Sequence, residues 1–140
     1  MMVKERRDYL VFMMAIFLLP AFTSSNPSQV SDPWKAPASA DSVKSPFSFN
    51  VETFKKGEEF YNLYCLSCHG EAGTGDGPAG AQLVIKPANF REERVMKQSN
   101  GVIFWKITNG RGFMPPFKEV LKEDERWQVV SYIRKLSKLK

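Results

Sequence analysis

The chain has 140 residues, a formal net charge of +5, and a composition in which 25% of residues are charged and 43% hydrophobic. That is room for one small domain with appendages. The basic bias is mild and scattered as Lys/Glu neighbours, with no basic patch interleaved with aromatics, which excludes a nucleic-acid binder.

Residues 1–25 are the first segment. Lys4, Arg6 and Arg7 precede an apolar run over 9–22 that is broken by Pro20 and followed by Thr23, Ser24 and Ser25. This is the layout of a signal peptide cut just after Ser24 or Ser25. The run is shorter than the roughly 20 residues a transmembrane helix needs. No Ala-x-Ala is present, so an uncleaved anchor, with membrane association through the N-terminus, is the alternative. The segment has no cysteine to carry a lipid. Under either alternative the rest of the chain is exported.

Residues 26–50 hold four prolines, six serines and three alanines without helical or strand periodicity, and read as a flexible Pro/Ser/Ala linker. Trp34, Phe47 and Phe49 are apolar for a spacer. Phe47 and Phe49 are expected to pack on the domain edge. Trp34 is either part of the spacer or an anchor to a larger complex.

The domain proper is expected over 51–140. Residues 53–65 have the pattern of an amphipathic helix, with Thr53 at its cap and Phe54, Tyr61 and Cys65 on one side. Gly57 costs that helix propensity, which points to a close helix crossing. The helix runs into Cys65-Leu66-Ser67-Cys68-His69, which holds both cysteines and the only histidine. Cys-x-x-Cys-His is the attachment pattern of a c-type haem: two thiols on one helical turn reach two vinyl groups, and the next residue offers its imidazole to the iron. A structural zinc site would need a fourth ligand, and no Cys or His remains. A thioredoxin-like pair would need a βαβ setting. A disulfide would leave His69 without a role. Exported domains are also where bacteria attach c-type haem.

Five glycines follow within residues 70–80, suited to a tight loop around a flat cofactor edge. A phosphate-cradling loop is excluded by the lack of a preceding strand and of a Gly-Lys-Ser/Thr ending. The carbonyl of Pro78 is expected to accept the Nδ1 proton of His69, with Pro87 as the alternative.

Residues 99–108 form a second predicted helix, capped by Ser99 and ended by Asn109-Gly110. Its Val102, Ile103, Phe104, Trp105 and Ile107 are core against the cofactor. Trp105 is also a candidate indole donor to a haem propionate, and Lys106 and Arg111 are candidate counter-charges. Beyond the leader only Met96 and Met114 can supply a soft sixth ligand. Met96 follows a charged, helix-like stretch and reads as packing. Met114 lies between Gly110, Gly112 and the pair Pro115-Pro116, in a loop with a pinned backbone. The last predicted helix spans 123–136, acidic in its first turn and basic in its last, with Trp127, Val130, Ile133 and Leu136 as the stripe that faces the Gly57 helix.

Together these marks — Gly57 and Tyr61, Cys65-x-x-Cys68-His69, Gly77-Pro78, Met114-Pro115 and an aromatic terminal helix — resemble a class I c-type cytochrome over residues 51–140. Lys122 departs from the pattern, where a Ser or Thr cap is expected. The resemblance implies an all-α fold, a small helical domain wrapped around one covalent haem c held by Cys65 and Cys68. It implies His69 and Met114 as iron ligands, which leave the iron no open position. The function then implied is electron transfer by Fe(III)/Fe(II) cycling, not enzymatic turnover. The partners implied are a membrane dehydrogenase or quinol-oxidising complex on one side and a terminal oxidase or reductase on the other. The location is the periplasm or the outer face of the cytoplasmic membrane. Two alternatives stand beside the shuttle: a haem-carrying subunit of a larger membrane respiratory complex, and a haem enzyme or sensor with a labile sixth ligand.

Overall fold

The computed structural model describes residues 34–138. The expected leader over 1–25 and the first part of the linker lie outside the described residues. Among the described residues there is no strand, and no helix is long and apolar enough to cross a membrane.

Helix α1, Val51–Tyr64, opens on a reciprocal cap: Asn50 Oδ1 accepts from the Thr53 N–H (3.0 Å) and Thr53 Oγ1 accepts from the Asn50 N–H (2.8 Å). The cap is therefore Asn50, and Thr53 is its third-position partner. At its far end α1 breaks at Cys65 into a single turn, α2, Leu66–His69. A short α3, Glu93–Met96, leads into α4, Asn100–Asn109, capped by the Ser99 hydroxyl and stopped at Gly110 with φ 59°. Helix α5, Glu123–Leu136, begins where expected; the missing Ser/Thr cap at Lys122 is replaced by Glu125, whose carboxylate accepts from the Lys122 N–H at 2.7 Å.

The core is the crossing of α1 and α5. Tyr61, Trp127, Val129 and Val130 are fully buried there, with Ile133 and Leu136 beside them. Gly57 permits the approach, since a Cβ at that position would lie 2.0 Å from Gln128 O of α5. Ser131, on α5, donates to Gln128 O and to Thr53 O of α1, and Tyr132 donates to Glu58. Helix α4 stacks Phe104 on Trp127, with centroids 4.1 Å apart. Arg134 ties α5 to the turn before α4 through the carbonyls of Met96 and Gln98 and the Asn100 side chain.

Residues 34–50 correct the expectation of a flexible spacer. Ala38–Ser42 is a 3₁₀ turn, Ala40 is buried, and the strand-free arm lies so close to α4 that a Cβ on Gly101 would meet Ala40 O at 2.0 Å. Two features missing from the linker composition explain this. Gly101 lacks a side chain where the arm crosses, and Trp34 has an aromatic partner on α4. Phe47 and Phe49 pack against the core, as expected.

Candidate functional site

Cys65 forms the kink between α1 and α2, and its carbonyl accepts from both Cys68 N–H (3.1 Å) and His69 N–H (2.8 Å). That double acceptance folds the five residues into one turn and puts both thiols and the imidazole on it. Both cysteines are free. Cys65 is 9% exposed, and burial, then the nearby Cys68, pushes its thiol up to about 12. Cys68 is half-buried.

The glycine-rich loop is laid directly on this turn. A Cβ on Gly77 would lie 2.4 Å from Ser67 O, and one on Gly80 would lie 2.1 Å from Cys68 O. Ala79 N–H donates to Ser67 O, Gly75 N–H to His69 O, and the Tyr61 hydroxyl, fully buried, to Gly70 O at 2.6 Å. Burial pushes the Tyr61 phenol well above its ordinary range.

His69 is oriented by neither proline. Its Nδ1 lies 3.3 Å from Ala88 O, and since a carbonyl only accepts, Nδ1 carries the proton and Nε2 keeps its lone pair. The correction has a geometric cause. The Pro78 turn is spent against the backbone of residues 66–68, leaving Pro78 exposed, while the Pro87 carbonyl faces Gly75, so the next carbonyl along meets the imidazole. Phe90 stacks on the imidazole at 4.8 Å. Burial lowers the His69 pKa, with the Ala88 bond acting the other way, which favours the neutral, ligating imidazole. Sequence reasoning missed both Ala88 and Phe90, because a backbone carbonyl and a lone aromatic carry no pattern.

Met114 is half-buried and packs against the core. Its turn is closed by Arg111 N–H to Met114 O (2.8 Å) and Met114 N–H to Arg111 O (3.0 Å). Gly110 abuts it so closely that a Cβ would lie 2.4 Å from Met114 O. The turn is thus shaped by its own backbone. Met96 is corrected: its side chain is 45% exposed rather than packed, and its carbonyl is what the fold uses. Trp105 is half-buried against Trp34 (6.4 Å), while Lys106 and Arg111 both lie over the Trp34 ring.

One observation fits a haem. Arg91 Nε, one residue beyond Phe90, is buried without a hydrogen-bond partner among the described residues, a donor that a carboxylate would satisfy. The thiol pair, a neutral imidazole and a thioether are the donor set of a c-type haem.

No curated protein matches this chain. Among solved structures it is similar to the Kuenenia stuttgartiensis reducing HAO-like protein complex Kustc0457/Kustc0458, at 29% identity and a TM-score of 0.60 over 74% of this chain. It spans about half, 52%, of the length of that relative. It is also similar to the KustC0563 c-type cytochrome, at 28% identity and a TM-score of 0.50, covering 59% of this chain and 98% of the other. Residues 52–133 match the family model described as cytochrome c oxidase, cbb3-type, subunit III. With its thiol turn, its helical fold and that match, the chain belongs to this family of class I c-type cytochrome domains.

Proposed function

We propose that the protein is a mono-haem electron carrier that serves redox partners outside the cytoplasmic membrane. Family membership implies a covalent haem c and haem-based electron transfer. The further reading is that Cys65 and Cys68 hold a single haem by thioether bonds and that His69 Nε2 and Met114 Sδ are the axial ligands. Arg91 Nε and the Trp105 indole N–H are the donors for its carboxylates. When bound, haem c supplies a one-electron Fe(III)/Fe(II) couple, and His/Met ligation raises its potential. The chain's own residues fix the imidazole through Ala88 O, stack it with Phe90, and hold the thioether in a closed turn.

The observation that carries the reading is the presence, in one small fold, of both a Cys65–His69 turn and a Met114 turn pinned by its own backbone. The test is the oxidised and reduced spectra of the exported protein beside Met114→Ala. A Met-to-iron charge-transfer band that disappears in the variant supports His/Met electron transfer. A high-spin wild type that takes up carbon monoxide or cyanide rapidly would overturn it.

A second reading, a subunit of a larger respiratory complex, is favoured by two similarities: the matched family is described as an oxidase subunit, and one similar structure is a protein complex. Size-exclusion behaviour of the native protein and the state of its N-terminus separate it from a free shuttle.

A further inference from the structure

We infer that the arm ahead of α1 is a strap on the Met114 turn, and that Trp34 is its positioning residue, acting through Arg111. This rests on the reading of Met114 as an iron ligand.

The arm runs along α4 in the opposite direction to the helix. Near the start of α4, Gly101 lies under Ala40 and Val43, whose carbonyls would be 2.0 and 2.6 Å from a Cβ there. Near its end, the Trp34 ring meets Trp105 edge-on at 6.4 Å. Two cations converge on the same indole. Lys106 Nζ is 5.4 Å from the ring centroid and Arg111 Cζ is 5.8 Å from it, both within cation–π range.

Arg111 is the residue that matters. Both of its backbone hydrogen-bonding groups are given to Met114, at 2.8 and 3.0 Å, so its side chain is a lever on the turn that presents the thioether. Gly112, within that turn, has φ 59° and nothing within 4 Å of a would-be Cβ, so one side of the turn is open. Phe113 beside it is 80% exposed. The turn is therefore held by its internal bonds, by Gly110, and by whatever holds Arg111. A thioether is a weak ligand, and its retention depends on how well its loop is fixed. Trp34 supplies a tether from a part of the chain that composition alone assigns to a spacer.

The alternative is that two long cations merely lie over a half-buried ring. It predicts no effect on the iron ligand, which makes the difference measurable. The experiment is an imidazole titration of the full-length holoprotein, followed by loss of the Met-to-iron charge-transfer band. Trp34→Leu keeps apolar cover on Trp105 but removes the π face. It should lose the band at about two- to fivefold lower imidazole, the equivalent of one exposed cation–π contact. Trp34→Phe should restore most of the wild-type affinity. Arg111→Gln should reproduce the shift, and the double variant with Trp34→Leu should shift no further than either single one. Arg111→Gln also carries the test by itself should Trp34→Leu fail to fold. A band unmoved in Trp34→Leu, or effects that add in the double variant, overturns the strap and leaves the ligand assignment standing. A wild type without the band overturns the ligand assignment, and the strap with it.

Discussion

Replacing Gly57 with alanine sets two effects of opposite sign against each other. In a helix interior the change gains about 1 kcal/mol of propensity. The added methyl, however, would lie 2.0 Å from Gln128 O, 2.7 Å from Gln128 C and 2.9 Å from Tyr132 Cβ. Two of those atoms are backbone of α5, so no rotamer change relieves the overlap, and α1 must move off α5 by more than 1 Å to bring the 2.0 Å approach to ordinary contact at 3.4 Å. Such a gap forfeits a quarter to a half of each dispersion contact along the seam. Overpacking of this kind costs about 1–3 kcal/mol, and a rigid backbone neighbour puts it at the upper end. The net is a loss of about 2 kcal/mol, or roughly 8–16 °C in the melting temperature of a domain this size. Thermal unfolding of the holoprotein, followed by far-UV circular dichroism, measures it. Gly112→Ala is the contrast: with nothing within 4 Å and φ 59°, it should cost only about 1–2 kcal/mol of left-handed strain. A Gly57→Ala protein as stable as wild type would show that helix propensity outweighs the crossing and refute the reasoning.

Three further outcomes are expected. Tyr61→Phe removes one of the two donors to the buried Gly70 carbonyl, which keeps the Gly73 N–H at 3.1 Å, and should lower the unfolding free energy by about 0.5–1.5 kcal/mol, read from the denaturant midpoint; an unchanged midpoint would show that the Gly73 bond alone satisfies that carbonyl. Burial, then the Glu58 hydrogen bond and charge, pushes Tyr132 up to about 12 from 10.0. Its folded pKa is raised, so its stabilising contribution is complete below pH 10 and is lost as the pH climbs from 10 towards 12. Denaturant midpoints across that range should therefore fall more steeply in the wild type than in Tyr132→Phe, and parallel curves would argue against it. Asn50→Ala removes the acceptor of the α1 cap and should cost about 0.5–2 kcal/mol, whereas Thr53→Ala, which loses two exposed hydroxyl bonds to the Asn50 backbone but keeps Asn50 Oδ1 on the helix N–H, should cost less.

The helices are legible in the sequence because their signals are local. Ser99 caps α4, Gly110 stops it, and the acids at the start and the bases at the end of α5 bracket a stripe that is indeed buried. The thiol turn is legible because its chemistry depends on spacing alone, and Gly57 because a glycine inside an amphipathic helix needs a reason. What escapes reading depends on long-range geometry. Ala88 offers only a backbone carbonyl, and Phe90 is one aromatic among eleven phenylalanines; both find His69 through the path of an irregular loop. The arm escapes for a related reason. Its Pro/Ser/Ala composition has no periodicity, and what orders it is Gly101, some sixty residues further on, together with the ring of Trp105. Met96 misleads because a methionine near a short helix reads as gap-filling, when the nearby Arg134 needs only its carbonyl.

The pairing of α1 with α5 also sets a timetable for the growing chain. The surface that covers α1 belongs to the last of the described helices, so the seam cannot close until nearly all of the domain has been synthesised. Until then Cys65 has no closed core to enter. Afterwards it is shut into the same core cluster as Tyr61 and Trp127 and holds its proton up to about 12. If Cys65 and Cys68 take a haem as proposed, the bonds form most readily before the final helix docks, on the side of the membrane where the chain folds. A variant that folds faster would have less time to acquire its cofactor.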